Sequence, residues 1–421
     1  FTDDVLALRL SSTVQVLAGT FFLGWVVLNI WGRYAAAVAV GLILTSGLVY
    51  EQARLYRPDP MMFGWELFGF GFVLLALKFG KRPYWAAAGL CYGLAVLMKP
   101  FGIFPVVGLL FFFAYMWVSR NWAWPTIWKN GLTFSLPFLA AALGISILLY
   151  AEMGFYYQEA FSYHQEIGGT FSLINQLINI GDRYLLFFVI NASTAFILPL
   201  AYLNRRSNLG QTEPIYKAVL FTQLFVPLSF VVITRPMHVR YFMFLVPTLA
   251  IFLAIEFNKL FQKTIREYPK REYVLPIFVW IIIVFAALTT LPNPLERLTR
   301  TESGTRELAA LIQSKTEPHD VVVADYASLN FHAKRQSIYE ASIIAGGQIG
   351  GGIITGSLLI EKIEMSRAKL ILMHTEGGDP PPHQLTHLID FEIFEDYLEE
   401  HYMLVMVFDR VGQLIEVYER K

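Results

Sequence analysis

The chain has 421 residues, of which 55% are hydrophobic and 16% charged. A typical soluble domain carries about 25% charged residues, so this composition excludes an ordinary soluble enzyme and points to a polytopic α-helical membrane protein. The 33 basic and 33 acidic residues balance, which leaves no global field for nucleic acid; the distribution of charge is what carries information. The single cysteine, Cys91, excludes an intrachain disulfide and a cysteine-based metal site.

Apolar windows of about 20 residues mark membrane spans. In chain order they fall near 10–31, 34–53, 60–78, 84–98, 101–118, 130–151, 184–203, 216–233, 240–258 and 273–291. Residue 1 is Phe and no signal peptide precedes the first span, so the chain reads as a fragment or a processed product. Alternating the sides sorts the connections into two sets. One holds Arg33; Lys78, Lys81 and Arg82; Arg120 and Lys129; Arg205, Arg206 and Lys217; and Lys259, Lys263, Arg266, Lys270 and Arg271. This basic set is the cytoplasmic one. The other holds the turn at Asp59, Lys99, the 152–183 loop, the 234–240 turn and everything after 292, and is extracytoplasmic.

Residues 1–291 therefore read as a transmembrane domain and 292–421 as a soluble α/β domain outside the membrane. In the latter, Leu308 to Ser314 and Phe394 to His401 read as helices. Val321 to Asp325 and Lys369 to Met373 have strand length and flanks, and Met403 to Phe408 with Leu414 to Tyr418 read as a terminal hairpin. Gly346-Gly-Gln-Ile-Gly-Gly-Gly352 reads as a flexible loop. No Gly-Lys-Ser/Thr follows, and no strand runs directly into it, so the signal for a nucleotide-binding loop is weak.

Four places carry possible chemistry. Arg57-Pro58-Asp59-Pro60 is a polar break between two apolar segments. A carboxylate there could serve as a general base, orient a nucleophile or bind a cation. It could equally be a helix N-cap before a Pro at N1. Lys99, in Leu97-Met-Lys-Pro-Phe-Gly102, could snorkel to the interface or hold a phosphate as a point charge. The 152–183 loop offers Tyr163-His164-Gln-Glu166, suited to a sugar or a divalent ion, or to an interfacial helix. Thr234-Arg235-Pro-Met-His-Val-Arg240-Tyr241 puts two arginines on the side that the inside rule keeps free of positive charge, which an anionic partner or lipid headgroups would explain.

Several of these segments resemble one family. Leu8-Arg9-Leu10-Ser-Ser12, Glu51-Gln-Ala-Arg54 with Arg57-Pro-Asp59-Pro-Met61, Trp85 to Gly102 and Arg240-Tyr241 to Pro247 are similar, in order, to motifs of the GT-C glycosyltransferase superfamily. The likeness is to its family 39-like branch, the ArnT and protein-mannosyltransferase-like enzymes, and covers most of the membrane region. It implies a GT-C-like membrane fold and an inverting transfer from a polyprenyl-phosphate sugar donor to a lipid, glycan or protein acceptor on the outer face of the plasma or inner membrane. By that resemblance Asp59 takes the family's second acidic position, near the donor or a divalent metal ion. Arg57, Lys99, Arg235, Arg240 and Tyr241 fall around the lipid phosphate, and His164 and Glu166 where some members have a substrate- or metal-contacting loop. The family's first span and its principal acidic residue precede the Leu8-Arg9-Leu10 segment, and Asp3 and Asp4 come too late in the pattern to be that residue. The resemblance thus implies either that the chain is N-terminally incomplete or that this product is inactive alone.

Two readings of other classes compete. A secondary transporter would place charges near mid-membrane and show a repeat between halves; no repeat is visible. A receptor or scaffold displaying residues 292–421 would leave Asp59, Lys99 and Arg240 without a shared purpose.

Overall fold

The computed structural model describes residues 5–55, 57–119, 121–144, 213–233, 239–267, 304–325, 327–342, 344, 346–350, 352–376, 385–409 and 414–421, with Ile277, Trp280, Ile281 and Val284 as isolated helical positions. These fall into two compact units, one of apolar helices and one containing a sheet.

In the helical unit, α1 (Val5–Trp31), α2 (Arg33–Thr45), α3 (Gly47–Ala53), α4 (Pro58–Phe79), α5 (Arg82–Met98), α6 (Ile103–Val118) and α7 (Trp124–Leu139) come first. After them come α8 (Glu213–Ile233) and α9 (Val246–Glu267), the latter preceded by a 3-10 turn, Val239–Leu245. Four described helical stretches are long and apolar enough to cross a membrane: Arg9–Trp31, Pro58–Phe79, Pro100–Val118 and Arg240–Glu267. The protein is an integral membrane protein. The span expected over 34–53 is not continuous: α2 and α3 meet at an angle of 62°. Ser46 is extended there, with φ −64° and ψ 113°, and Gly47 follows; Ser/Gly pairs are a common cause of sharp kinks. Of the other expected spans, 184–203 lies outside the described residues, 130–151 is described only to 144, and 273–291 only at the four isolated positions.

Close backbone approach sets the packing, as expected where lipid gives no hydrophobic drive between helices. A Cβ on Gly19 of α1 would sit 2.8 Å from the Gly64 carbonyl oxygen of α4. One on Gly89 of α5 would sit 2.0 Å from the Phe134 carbonyl oxygen of α7. Helices α1 and α4 run in the same direction, because Gln15 Nε2 donates to the Met61 carbonyl near their starts (3.0 Å) and Lys78 Nζ to the Asn29 carbonyl near their ends (2.5 Å). At that second end Asn258 Nδ2 also donates to the Trp31 carbonyl, at 2.8 Å. The bundle thus has two ends, and Asp59 begins the end opposite Lys78.

The second unit carries a four-stranded sheet in the order β1-β2-β4-β3, with β1 Val322–Ala324, β2 Leu370–Glu376, β3 Tyr402–Asp409 and β4 Leu414–Arg420. β1 and β2 are parallel (Val322 opposite Leu370), and β4 pairs antiparallel with both β2 and β3. Leu370 and Leu372 pack to one side with Val322, Leu308 and Ile312; Ile371 and Met373 pack to the other with Val323, Phe394 and Leu398. That accounts for the continuous apolar run of β2, buried on both faces. The expected helices appear as Thr305–Lys315 and Phe391–His401. The glycine-rich stretch is not a loop throughout: Gly346–Gly350 is a short helix with Gln348 and Ile349 buried, held down by Ile349 in the apolar cluster beside Val323 and Met373.

Candidate active site

Asp59 is not an N-cap. Arg57 caps α4 with extended backbone (φ −146°, ψ 159°), Pro58 opens the helix, and Asp59 lies in its first turn. Prolines 58 and 60 fit there because the first helical amides have no intrahelical partner to lose. The Asp59 side chain is left free to point away from its own helix end, and the residue is buried.

Lys99 closes α5. Its backbone is extended (φ −160°, ψ 134°), and Pro100 starts a 3-10 turn, Pro100–Gly102, before α6. Residues before proline are pushed out of the α region, so the Lys-Pro pair both stops α5 and aims the ammonium at α4. Lys99 Nζ donates to Asp59 Oδ1 at 2.6 Å, with side-chain exposures of 17% and 5%. Arg240, in the 3-10 turn before α9, brings Nε to 3.8 Å from the same oxygen. Arg57 is exposed, and its guanidinium feels both Arg240 and Asp59. Two cations thus share one carboxylate, with Arg57 two residues before it in the chain, a net excess of positive charge in a partly dry setting where water screens little.

An aromatic floor supports the cluster. Tyr241 is buried, and its ring centroid lies 5.1 Å from Lys99 Nζ and 5.5 Å from Arg240 Cζ. Phe101 packs edge-on against Tyr241 at 4.6 Å and stands 5.2 Å from Lys99 Nζ. Cations over ring faces gain attraction without an anion, so the floor holds both side chains in place if the carboxylate is drawn away.

Asp59, Arg57, Lys99, Arg240 and Tyr241 are therefore brought together from α4, the α5–α6 break and the turn before α9. Arg235, His164 and Glu166 lie outside the described residues. Among the described residues no three His, Cys, Asp or Glu side chains cluster, and the neighbours of Asp59 are cations.

Sequence reasoning missed Glu66. It lies two turns beyond Asp59 in α4, 6% exposed, and its Oε1 is buried without a hydrogen-bond partner. The charged groups of the helical unit do not all gather at its ends. The signal was a lone carboxylate inside an apolar span, a pattern that by itself marks function.

No family profile matches the chain, and no curated protein sequence is similar to it. Solved structures are. ArnT from Cupriavidus metallidurans bound to undecaprenyl phosphate superposes with a TM-score of 0.59 at 13% identity, over 97% of this chain and 83% of that one. The chain has a GT-C-like fold. The same GT-C likeness extends to the archaeal oligosaccharyltransferase AglB from Archaeoglobus fulgidus, in complex with an inhibitory peptide and a dolichol-phosphate. There the TM-score is 0.55 at 13% identity, over 99% of this chain and 63% of that one. A further structure of that oligosaccharyltransferase, a complex with Zn and sulfate, matches with a TM-score of 0.55. Such identities carry the GT-C-like fold: a membrane bundle joined to a sheet-containing C-terminal region.

Proposed function

We propose that the chain is a membrane glycosyltransferase that moves a sugar from a polyprenyl-phosphate donor to an acceptor hydroxyl on the extracytoplasmic face, inverting the anomeric centre. The carrying observation is the excess of cations around Asp59 at one end of a GT-C-like bundle. Neighbours of the same fold hold undecaprenyl phosphate and dolichol-phosphate, which favours a lipid phosphate as the anion these cations bind.

The chemistry follows from charge. A sugar phosphodiester carries one negative charge; as its glycosidic C–O bond breaks, the departing polyprenyl phosphate gains a second. Lys99, Arg240 and Arg57 are placed to neutralise that growing charge, which is stronger help in the transition state than in the ground state. Lys99 and Arg240 share the Asp59 carboxylate. When a phosphate takes those two cations, Asp59 is free to orient the acceptor hydroxyl and take its proton. A lipid, a glycan or a protein could present that hydroxyl. On this reading the Asp59 end faces outward.

Asp59→Asn separates the two roles. It keeps the shape and removes the charge, so sugar transfer should fall by about 100-fold or more, within the range of general base catalysis. Binding of polyprenyl phosphate should hold or tighten, because the cations lose their competitor. Transfer at the wild-type rate by folded Asp59→Asn protein would remove Asp59 from the site.

A further inference from the structure

We propose that the outer edge of β3 pairs with β3 of a second copy of this chain, so that two sheets join into one across a two-fold axis. The proposal does not depend on the glycosyl-transfer reading. In the order β1-β2-β4-β3, β3 is an edge, and among the described residues no strand lies on its outer side. An edge strand presents a row of backbone donors and acceptors to any other chain, and proteins guard such edges with charge, proline, short strands or bulges. β3 is 8 residues long and carries no charged residue or proline from Tyr402 to Phe408. Its guard is a bulge alone, where the register shifts between Leu404 and Met406. Met403, Leu404, Met406 and Val407 are 57%, 46%, 40% and 50% exposed.

These side chains lie on both faces of the sheet. β4 fixes the faces, because residues opposite each other in an antiparallel pair project on the same side. Leu404 stands opposite Tyr418 and Val407 opposite Glu416, on the face that packs with Phe394 and Ile371. Met406 stands opposite Val417 and Phe408 opposite Ile415, on the face that packs with Leu308 and Ile312. Met403, opposite Glu419, shares that second face, and Val405 packs against it. A lipid surface or a helix would cover one face of such an edge. A strand covers both and takes up the backbone groups as well. The strand is also its own complement. Antiparallel self-pairing that sets Met403 against Phe408, Leu404 against Val407 and Val405 against Met406 keeps every opposed pair on one face. The bulge makes this possible: in a regular strand side chains alternate, and residues so spaced would fall on opposite faces. No like charges meet between Tyr402 and Phe408. The contact is isologous and closed, so assembly stops at two copies.

The test uses the full chain in detergent micelles, with mass read by light scattering over a range of protein concentrations and thermal unfolding in parallel to confirm the fold. Wild type should be a dimer that dissociates on dilution. Leu404→Lys should weaken dimerisation by about 100-fold, because the two-fold axis counts the lost burial twice, at about tenfold each. Cysteine variants read the register directly. In a Cys91→Ala background, Leu404→Cys chains mixed with Val407→Cys chains should form an intermolecular disulfide under mild oxidation, in clear excess over either variant alone, because the pairing brings these two positions within bridging distance. Wild type that is monomeric at every concentration would overturn the proposal and leave the β3 edge to lipid or to another extended polypeptide. A dimer that persists unweakened in Leu404→Lys would overturn it too. Should Leu404→Lys fail to fold, the mixed cysteine experiment decides: the disulfide upholds the pairing, and its absence overturns it.

Discussion

Replacing Lys99 by Met removes one cation from the cluster and keeps most of the side-chain volume. A hydrogen bond to a charged group contributes about 1.5–3 kcal/mol. At 1.4 kcal/mol per tenfold, affinity for polyprenyl phosphate should drop by about 10- to 150-fold. The fold should suffer less than that site suggests. Breaking a buried ion pair costs about 3–5 kcal/mol when the surviving charge is stranded. Here Arg240 Nε stands 3.8 Å from the same Asp59 oxygen, and the Lys99 side chain is 17% exposed. A stability loss of about 1–2 kcal/mol is expected, between the values for an exposed and a fully buried pair. Lys99→Arg keeps the charge but trades a compact ammonium for a planar fork, and should fall between wild type and Lys99→Met. The assay is equilibrium binding of undecaprenyl phosphate in nanodiscs at low and high salt, with thermal unfolding in parallel. Wild-type affinity in folded Lys99→Met protein would refute the assignment of Lys99 to the phosphate.

Gly89→Val should prevent or strongly impair folding, because a Cβ at Gly89 would lie 2.0 Å from the Phe134 carbonyl oxygen and backbone has to move; thermal unfolding that matches wild type would show that α5 and α7 do not approach so closely. In the sheet-containing unit, the Tyr397 hydroxyl first and Arg420 second hold the Glu364 carboxyl below its ordinary range, Arg420 at 3.0 and 2.9 Å. A depressed carboxyl contributes stability above its unfolded pKa and loses it as pH falls through the folded one. Glu364→Gln should accordingly weaken hydrogen-exchange protection of β2, β3 and β4 near pH 7 by less than about 1 kcal/mol, since the group is largely exposed, and should make no difference well below pH 4; an effect that persists in acid would contradict the ion-pair account. Protease added to intact cells should reach residues 304–421. Protection of that unit from outside, with cleavage from the cytoplasmic side, would reverse the proposed topology.

Much of the membrane unit was legible because spans declare themselves by length and apolarity. Pro58–Phe79 and Pro100–Val118 appear almost where the hydropathy puts them, and the Lys-Pro pair that ends α5 is visible as sequence. The convergence of Asp59, Lys99 and Arg240 needed the fold, since 181 residues separate the first from the last and nothing local couples them. The break at Ser46 was hidden because apolar residues flank it on both sides, and hydropathy does not register a turn of the backbone. Glu66 was overlooked for the opposite reason: one charge barely lowers a window average, although its burial is costly. In the sheet unit, β2 and the terminal hairpin could be read from strand-length apolar runs. The helix Gly356–Ser366 was not read, because its cap, Thr355 accepting from the Leu358 amide at 3.2 Å, lies among glycines that read as a loop.

The most direct measurement is sugar transfer itself. The protein, expressed from its whole gene and purified into nanodiscs, is given a polyprenyl-phosphate sugar with a labelled sugar, together with membrane lipid, glycan and protein fractions as acceptors. Label should move to one acceptor class and free polyprenyl phosphate should accumulate with it, both lost in Asp59→Asn. Protein that binds polyprenyl phosphate yet never releases it from the sugar, with every acceptor class present, would contradict glycosyl transfer.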